Sequence, residues 1–357
     1  MLKDRSGRIR PLLEGCGLDS LIFLDPANLA YLCGFSGTDG VLIVTRGTSC
    51  FLTDSRYTTQ AREQVGAGEV REYADKVSGV LEWLRQAGIS QAGFEAATLP
   101  YATVMRLKDG APDIQWVPLD QELKPLRGGK DAAELDALER AASLNAAALG
   151  EVLPCLTPGT SERNFALELE FALKRRGGEE KAFDFIVASG QRGAMPHGVA
   201  SGKLLAPGDL VTIDFGTRVQ GYHSDETVTL ALGAVSAHQR RVFDTVLAAH
   251  DRAIDGIRPG IPLRDIDAMA RSYIVDQGFG DFFGHGLGHG VGLEVHEFPV
   301  VSPRSETLAE EGMVFTVEPG IYIPGDCGVR IEDMVVVTAD GCRLLTQFPK
   351  QFRSLPV

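Results

Sequence analysis

The stretch that organises this chain of 357 residues is GHGLGHGVGLEVH, residues 284–296. It holds five glycines and three of the chain's seven histidines, His285, His289 and His296. So many glycines argue against a helix, because each one in a helix interior costs about 1 kcal/mol relative to alanine. The stretch therefore predicts a tight backbone that lets imidazole rings converge on something small. A glycine-rich surface loop with incidental histidines is the alternative left open by this stretch alone.

Two aspartates lie in a predicted β-hairpin upstream. Asp214 sits near the end of the apolar run 210–216, and Asp225 lies in the returning run 222–230 after a turn at Gly221. Cross-strand neighbours on one face are close enough to share a cation. A buried aspartate in an apolar strand is costly unless it is paired or bound to a metal. The competing interpretation is that both aspartates only cap turns.

Two further apolar runs carry glutamates. Residues 313–322 predict a strand with Glu318, and residues 329–337 predict a strand with Glu332. Arg330 and Glu332 are two residues apart and face the same side of a strand, so a salt bridge is the simpler explanation of that pair. The candidate metal ligands are Asp214, Asp225, His289, Glu318 and Glu332. A set rich in oxygen with one nitrogen suits two ions such as Mn²⁺, Co²⁺ or Zn²⁺.

The charge distribution agrees with a cation site. The formal net charge is -13, which argues against nucleic acid or an anionic membrane surface as the main partner. Residues 1–129 hold 14 Lys and Arg against 16 Asp and Glu, a net of -2, while the rest holds 21 against 32, a net of -11. Acid is therefore concentrated in the part that carries the histidine-rich stretch.

Other features of composition bear on the compartment. The six cysteines form no CxxC pair, so reduced thiols in a cytoplasmic protein are the expectation. The N-terminus, MLKDR, carries three charged residues and is followed by no apolar core of signal-peptide length, so we expect no signal peptide. No run approaches eighteen continuous apolar residues, so we expect no membrane-spanning segment.

The length predicts about two domains. Residues 1–127 predict a smaller α/β domain, with strands over 21–24, 41–44 and 50–53 and a helix over 80–87 that is stopped at Gly88. The glycine pair at 128–129 marks the predicted boundary, and residues 128–357 form the second domain.

The second domain shows a weak internal duplication. A long helix from Lys130 ends before Pro158-Gly159, and a second helix ends at Gly177. Shifted by 101 positions, the same pattern returns with Pro259-Gly260 and Gly278. We interpret it as two α+β halves related by a pseudo-two-fold axis.

The motifs DFG (214–216), SDET (224–227), GHGLGHGVGLEVHE (284–297), VEPGIY (317–322) and VRIED (329–333) resemble those of the pita-bread metallopeptidases. This is the superfamily of creatinase and methionine aminopeptidase, and the match is to its Xaa-Pro branch, prolidase and aminopeptidase P. The resemblance covers essentially the whole chain. It implies an α+β fold in which a creatinase-type α/β domain precedes a C-terminal pita-bread domain. It also implies hydrolysis of Xaa-Pro peptide bonds by a dinuclear metal centre.

The resemblance assigns roles to the ligands. Asp214 would bind one ion, while Asp225 and Glu332 would bridge both. His289 would complete the shells together with Glu318, which would also act as general base. Thr227 would orient Asp225. Manganese is the first expectation for the metal, with cobalt and zinc as alternatives.

The resemblance also assigns residues that handle the substrate. His197 and His296 would handle substrate and shuttle protons. His285 and Tyr322 would form the pocket that holds proline, and Arg330 would support the bridging carboxylates. The partners implied are proline-containing dipeptides or oligopeptides, and we expect a homodimer.

Substrate length is the open question. Related prolidases place an arginine soon after the His-Glu-aromatic-Pro run, but here the nearest one after Pro299 is Arg304. Arg46 or Arg56 of the N-terminal domain could bind the dipeptide's carboxylate instead. We place the dipeptidase ahead of aminopeptidase P because the N-terminal domain is short.

Three other classes are weighed against these two. A methionyl aminopeptidase would use the same metals but would not need this N-terminal domain. A peptide-binding relative without activity, or a creatinase-type hydrolase that needs no metal, would have lost ligands. All five candidate ligands are present.

Overall fold

The computed structural model describes residues 5–66 and 68–357. They fall into two compact units, Met1–Leu126 and Arg127–Val357. Among the described residues, no helix has the length and apolar character needed to cross a membrane.

The first unit is built on a six-stranded sheet with the order β4-β3-β2-β1-β5-β6. Its strands are β1 Ser20–Phe23, β2 Val41–Thr45, β3 Ser49–Thr53, β4 Glu69–Glu72, β5 Gln91–Glu95 and β6 Gln115–Leu119. Its helices are α1 Arg10–Gly15, α2 Pro26–Cys33, α3 Thr58–Gln64, α4 Lys76–Gln86 and α5 Tyr101–Gly110. The three predicted strands are β1, β2 and β3. The predicted helix is α4, and it begins four residues earlier than the apolar pattern indicates.

Local sequence explains the boundaries of α2. The side chain of Asp25 accepts a hydrogen bond from the Asn28 N–H, and Pro26 begins the helix, where its missing N–H costs nothing. Gly34 ends the helix with φ 80°, a conformation that a residue with a Cβ adopts only with strain.

The second unit contains four helices and the remaining strands. The helices are α6 Ala132–Val152, α7 Glu162–Arg175, α8 Ala237–Gly256 and α9 Leu263–Asp276. The strands are β7 Ile186–Ser189, β8 Leu210–Phe215, β9 Arg218–Val219, β10 Tyr222–His223, β11 Glu226–Leu232, β12 Gly288–Gly290, β13 Glu297–Val301, β14 Val314–Val317, β15 Gly320–Ile323, β16 Cys327–Arg330, β17 Asp333–Val337, β18 Cys342–Leu344 and β19 Ser354–Leu355. Short 3₁₀ turns lie at Ser6–Ile9, Lys124–Arg127, Leu153–Cys155, Gly190–Ala194 and Gly280–Phe282.

Two sheets carry this unit, one of order β19-β11-β8-β7 and one of order β13-β12-β14-β17-β18. Each has a helix pair on one face. The apolar sides of α6 and α7 form a core with β7, β8 and β11. Those of α8 and α9 form a second core with β14 and β17. Because the apolar residues of each helix recur every three or four positions, they bury one stripe against a sheet.

The two halves also repeat the same backbone connection, which agrees with the predicted duplication. Gly159 donates its N–H to the Leu205 carbonyl at 2.9 Å, and Gly260 donates to the Ala309 carbonyl at 2.8 Å. Both glycines have positive φ, 88° and 83°. The helices α7 and α9 begin three residues after these turns.

Two strand predictions were wrong in one respect. Residues 313–322 and 329–337 were each expected to form one strand, but each run contains two. β14 and β17 pair with each other in the five-stranded sheet, whereas β15 and β16 pair in a separate ribbon. The chain leaves one sheet for another at Glu318 and at Glu332. Because the regular alternation of side chains is interrupted there, both carboxylates can turn into the same space.

Candidate metal centre

Three predicted ligands lie together in the wall of a cavity. Asp225, His289 and Glu332 each offer a donor atom, and these atoms lie within 4.8 Å of one another. His289 Nε2 lies 3.3 Å from Glu318 Oε1 and 3.6 Å from Asp225 Oδ2. Asp214 lines the same cavity, which has a volume of about 700 Å³. The five residues, spread over more than a hundred positions of sequence, therefore face one space.

The backbone brings the aspartates together across the β8–β11 pair. Asp214 lies opposite Thr227, so Asp225, which directly precedes β11, is its diagonal neighbour. The backbone N–H of Glu332 donates to the Thr227 carbonyl at 3.1 Å, which brings the third carboxylate to the same edge. Thr227 does not contact Asp225 as expected. Its hydroxyl donates to Glu332 Oε2 at 2.6 Å.

Glycines in the histidine-rich stretch allow a close backbone approach. A Cβ on Gly288 would collide with the Thr316 carbonyl, and one on Gly290 would collide with the Phe298 carbonyl. Without those atoms, β12 fits between β13 and β14. The stretch is thus partly a strand, and not the surface loop of the alternative interpretation.

The tautomer of His289 suits a metal ligand. Its Nδ1 lies 3.0 Å from the Gly290 carbonyl, which can only accept, so Nδ1 carries the proton. The lone pair is then on Nε2, which faces the carboxylates. Burial is the main reason that the pKa of His289 is lowered, so the ring stays neutral.

Burial and mutual repulsion disfavour the ionised form of the carboxyl groups in this site. Burial, followed by repulsion from neighbouring carboxylates, raises the pKa of Asp225 and of Glu332 well above the ordinary values. Burial also raises the pKa of Glu318 to about 8, although Arg330 opposes the shift. Four carboxylates in such a site need positive charge to remain ionised.

A divalent cation fits this donor set. Asp214 Oδ1 is buried and has no hydrogen-bond partner among the described residues. Its other oxygen is held by Arg330. A buried acceptor left open beside three clustered oxygen and nitrogen donors is what a cation site requires.

Arg330 is already engaged by protein atoms. It donates to Asp214 Oδ2 at 2.6 Å, the Tyr322 hydroxyl at 2.9 Å, the Pro196 carbonyl at 3.1 Å and the Thr227 hydroxyl at 3.2 Å. The residue is 3% exposed. Its guanidinium therefore acts on the cavity mainly by orienting Asp214 and Tyr322.

His285 and Tyr322 form a fixed part of the cavity wall. His285 Nδ1 lies 2.8 Å from the Gly286 carbonyl, so this nitrogen carries the proton. The Tyr322 hydroxyl then donates to His285 Nε2 at 3.0 Å while it accepts from Arg330. Burial lowers the pKa of His285 to about 4 and raises that of Tyr322 to about 12. Both groups are neutral near pH 7.

The other two predicted histidines lie at the cavity wall outside the donor cluster. His197 and His296 both line the cavity and are exposed. The ring centroid of His296 is 4.3 Å from that of His289. Partial burial of the ring is the main cause that lowers the pKa of His296, and the neighbouring imidazole of His289 lowers it further.

The two arginines predicted to bind substrate belong to the first unit. Arg46 lies exposed in the turn between β2 and β3. Arg56 is 68% exposed at its side chain and is paired with Asp54 at 2.6 Å and with Asp39 at 3.2 Å.

Sequence reasoning missed the apolar part of the cavity. Phe183, Ile186, Val199 and Val300 line it together with the polar residues. They lie in ordinary apolar runs, and no local signal separates them from core residues.

A cluster of buried carboxylates with one neutral imidazole, in the wall of a cavity large enough for a small peptide, defines a metal-dependent hydrolase. The chain belongs to metallopeptidase family M24, whose model matches residues 136–339. The Creatinase/Prolidase N-terminal domain matches residues 5–128. These matches confirm the resemblance and the fold class inferred from the motifs.

Individual relatives agree over the full length. The chain is 40% identical to the uncharacterized peptidase YqhT of Bacillus subtilis, over 96% of this chain and 98% of that one. The solved structure of an Xaa-Pro dipeptidase from Bacillus anthracis is 39% identical, with a TM-score of 0.96, and covers 98% of this chain and 99% of its own. An X-Pro aminopeptidase from Thermotoga maritima is 35% identical, with a TM-score of 0.91, and covers 99% and 100%.

Proposed function

We propose that this protein is a metal-dependent Xaa-Pro dipeptidase, which hydrolyses the bond before a C-terminal proline. The observation that carries the proposal is the donor cluster around His289 Nε2 in the wall of the 700 Å³ cavity. The dipeptidase from Bacillus anthracis, similar over nearly the whole chain, supports the substrate class.

Five side chains would hold two divalent ions, with manganese first and cobalt or zinc as alternatives. Asp225 and Glu332 would be the bridging ligands, Asp214 would bind one ion, and His289 and Glu318 would complete the shells. When bound, such ions supply hydroxide near neutral pH and stabilise the negative charge that develops on the carbonyl oxygen.

Side chains of the protein would accept and donate the protons that the reaction moves. Glu318 is the proposed general base for the attacking water. Because burial raises its pKa to about 8, positive charge at the site would be needed to keep it ionised near pH 7. An Xaa-Pro bond has no N–H, so the departing proline nitrogen must gain a proton. His197 and His296, exposed on the cavity wall, are the proposed carriers of that proton. His285 and Tyr322 are neutral at pH 7, and they present a fixed wall to the proline ring.

Aminopeptidase P activity is the second candidate, and one observation favours it. Arg330 is the one guanidinium among the described residues that line the cavity, and it is already held by four hydrogen bonds. A free dipeptide carboxylate therefore needs another cation. We propose Arg46 for that role, with Arg56 as second choice because two carboxylates already pair with it.

Rates on three peptides separate the candidates. We expect the Mn²⁺-loaded protein to hydrolyse Ala-Pro faster than Ala-Pro-Ala and to leave Ala-Ala nearly untouched. Faster cleavage of Ala-Pro-Ala moves the assignment to aminopeptidase P. Equal rates on Ala-Ala and Ala-Pro contradict an Xaa-Pro specificity of either kind.

We further propose that the protein is a cytoplasmic homodimer. Cys16, Cys50, Cys155, Cys327 and Cys342 form no disulfide among the described residues, as a reducing compartment allows. Light scattering in solution tests the dimer, because a mass equal to that of one 38.4 kDa chain rules it out. Alkylation of the thiols in intact cells, without reductant, tests the compartment, since thiols blocked as disulfides would contradict it.

A further inference from the structure

One buried ammonium group contacts the sequence neighbours of both proposed bridging ligands. Lys350 Nζ lies 2.6 Å from Glu226 Oε1 and 3.3 Å from Asp333 Oδ1. The side chains of Lys350, Glu226 and Asp333 are 6%, 0% and 4% exposed. Glu226 directly follows Asp225 in the chain, and Asp333 directly follows Glu332.

The four carboxylates do not line the same cavity. Asp225 and Glu332 line the 700 Å³ cavity, and the residues that directly follow them do not. Asp333 and Lys350 instead line a second cavity, of about 380 Å³. The lysine therefore lies outside the cavity that the proposed ligands line, at the first residues of β11 and β17.

The segment before Lys350 is fixed to both strands. The Leu345 N–H donates to the Met334 carbonyl at 2.8 Å, which joins the segment to β17. The Phe348 N–H donates to Glu226 Oε1 at 3.3 Å, which joins it to β11. These two hydrogen bonds therefore fix the position of the Lys350 ammonium group.

The Lys350 side chain stays positively charged in this position. Burial alone would lower the pKa of the ammonium, but Glu226 and Asp333 raise it above the ordinary value. A buried pair that loses one partner leaves an uncompensated charge, which is strongly destabilising. The two strands are therefore held together by charge as well as by backbone contact.

We propose that Lys350 is a positioning residue of the metal centre, which sets the separation of Asp225 and Glu332 by tying together the residues that follow them. This inference rests on the proposed function, because it takes those two carboxylates as the bridging ligands. Without the ion pairs that Lys350 makes with Glu226 and Asp333, Asp225 and Glu332 would move apart and bind the ions more weakly.

The test measures Mn²⁺ affinity and stoichiometry by calorimetry on protein stripped with a chelator. Lys350→Met alone would leave two buried carboxylates with less compensation and could fail to fold. The double variant Lys350→Met with Glu226→Gln removes one charge of each sign. Asp333 keeps its contact with His250 Nε2 at 3.1 Å in that variant. Circular dichroism establishes that the variant is folded.

We expect the folded double variant to bind at least one Mn²⁺ about 10-fold or more weakly, in the range known for residues that orient metal ligands. Lys350→Arg should bind both ions more tightly than the double variant, since it keeps the charge. Two ions bound by the double variant with wild-type affinity would overturn the inference.

A matched control exists in the same unit. Lys130 and Glu297 form another buried pair, with a distance of 2.6 Å and side chains 1% and 3% exposed. Lys130→Met with Glu297→Gln should leave Mn²⁺ affinity unchanged, because neither residue directly precedes or follows a proposed ligand in the chain. An equal loss in this control means that any buried pair has the same effect, which also overturns the inference. Peptide rates are measured separately, so a wrong substrate assignment would not alter the metal result.

Discussion

Arg330 holds one oxygen of Asp214 and leaves the other open. Its Nη2 donates to Asp214 Oδ2 at 2.6 Å, and the side chains are 4% and 12% exposed. Asp214 Oδ1 is buried without a hydrogen-bond partner among the described residues. Because the guanidinium also donates to Tyr322, one residue orients a proposed ligand and the cavity wall together.

Removing this guanidinium should cost stability. We expect Arg330→Met to lower the free energy of unfolding by about 3–5 kcal/mol, because it leaves buried Asp214 without its partner. Arg330→Lys lacks the planar guanidinium but keeps the positive charge beside Asp214. Its loss of unfolding free energy should therefore be smaller than that of Arg330→Met. Urea unfolding of chelator-stripped proteins measures both. Equal stability of Arg330→Met and wild type would contradict this account of the pair.

Metal removal should abolish activity. Chelation should stop hydrolysis of Ala-Pro, and Mn²⁺ or Co²⁺ should restore it, because hydroxide and the oxyanion both depend on the ions. Asp225→Asn should lose at least one ion, since it removes charge from a proposed bridging ligand. Metal analysis after dialysis gives the stoichiometry. Full activity of stripped protein, or two ions held at wild-type affinity by the variant, argues against the assignment.

His197 and His296 should affect the rate without affecting the ions. Neither residue is among the five proposed ligands. We expect His197→Ala and His296→Ala to retain both ions and to lose about 10²-fold or more in kcat, as proton-transfer groups do. Steady-state kinetics and metal analysis on the same samples check this. A variant that loses metal would move its histidine into the ligand set.

His285 should make stability fall as the pH falls. Burial lowers its pKa from 6.5 to about 4, so the unfolded chain binds more protons than the folded protein between these values. The free energy of unfolding therefore decreases from pH 7 to pH 5, by roughly 2 kcal/mol from this group. His285→Asn, which cannot titrate, should lack that part of the decrease. Urea unfolding at both pH values measures the difference, and parallel losses in the two proteins would refute it.

Substrate length should depend on one arginine of the first unit. A contact between Arg46 and the dipeptide carboxylate would contribute about 1.5–3 kcal/mol, or roughly 10–150-fold between Ala-Pro and Ala-Pro-Ala. Arg46→Ala should reduce the rate on the dipeptide selectively. Arg56→Ala is the comparison variant. Equal losses on both peptides, or none, would remove both arginines from this role and favour aminopeptidase P.

Local sequence was sufficient for most of the fold. Apolar runs and capping residues determine where β1–β3, α4, α6 and α7 form, because these signals act over a few residues. Several candidate metal ligands could also be identified from the sequence, because Asp214, Asp225 and His289 lie in distinctive local patterns. The glycines around His289 predicted a tight backbone, and in the structure Gly288 and Gly290 allow neighbouring backbone to approach closely.

Only the tertiary structure decided how the carboxylates meet. The breaks at Glu318 and Glu332 depend on which sheet each half of the strand joins, and that partner is distant in sequence. Thr227 contacts Glu332 instead of Asp225 for the same reason, because the register between separate segments sets the pair. Lys350 reaches Glu226 and Asp333 across 124 and 17 positions. A buried charge is compensated by whatever the fold brings beside it, and spacing along the chain cannot specify that neighbour.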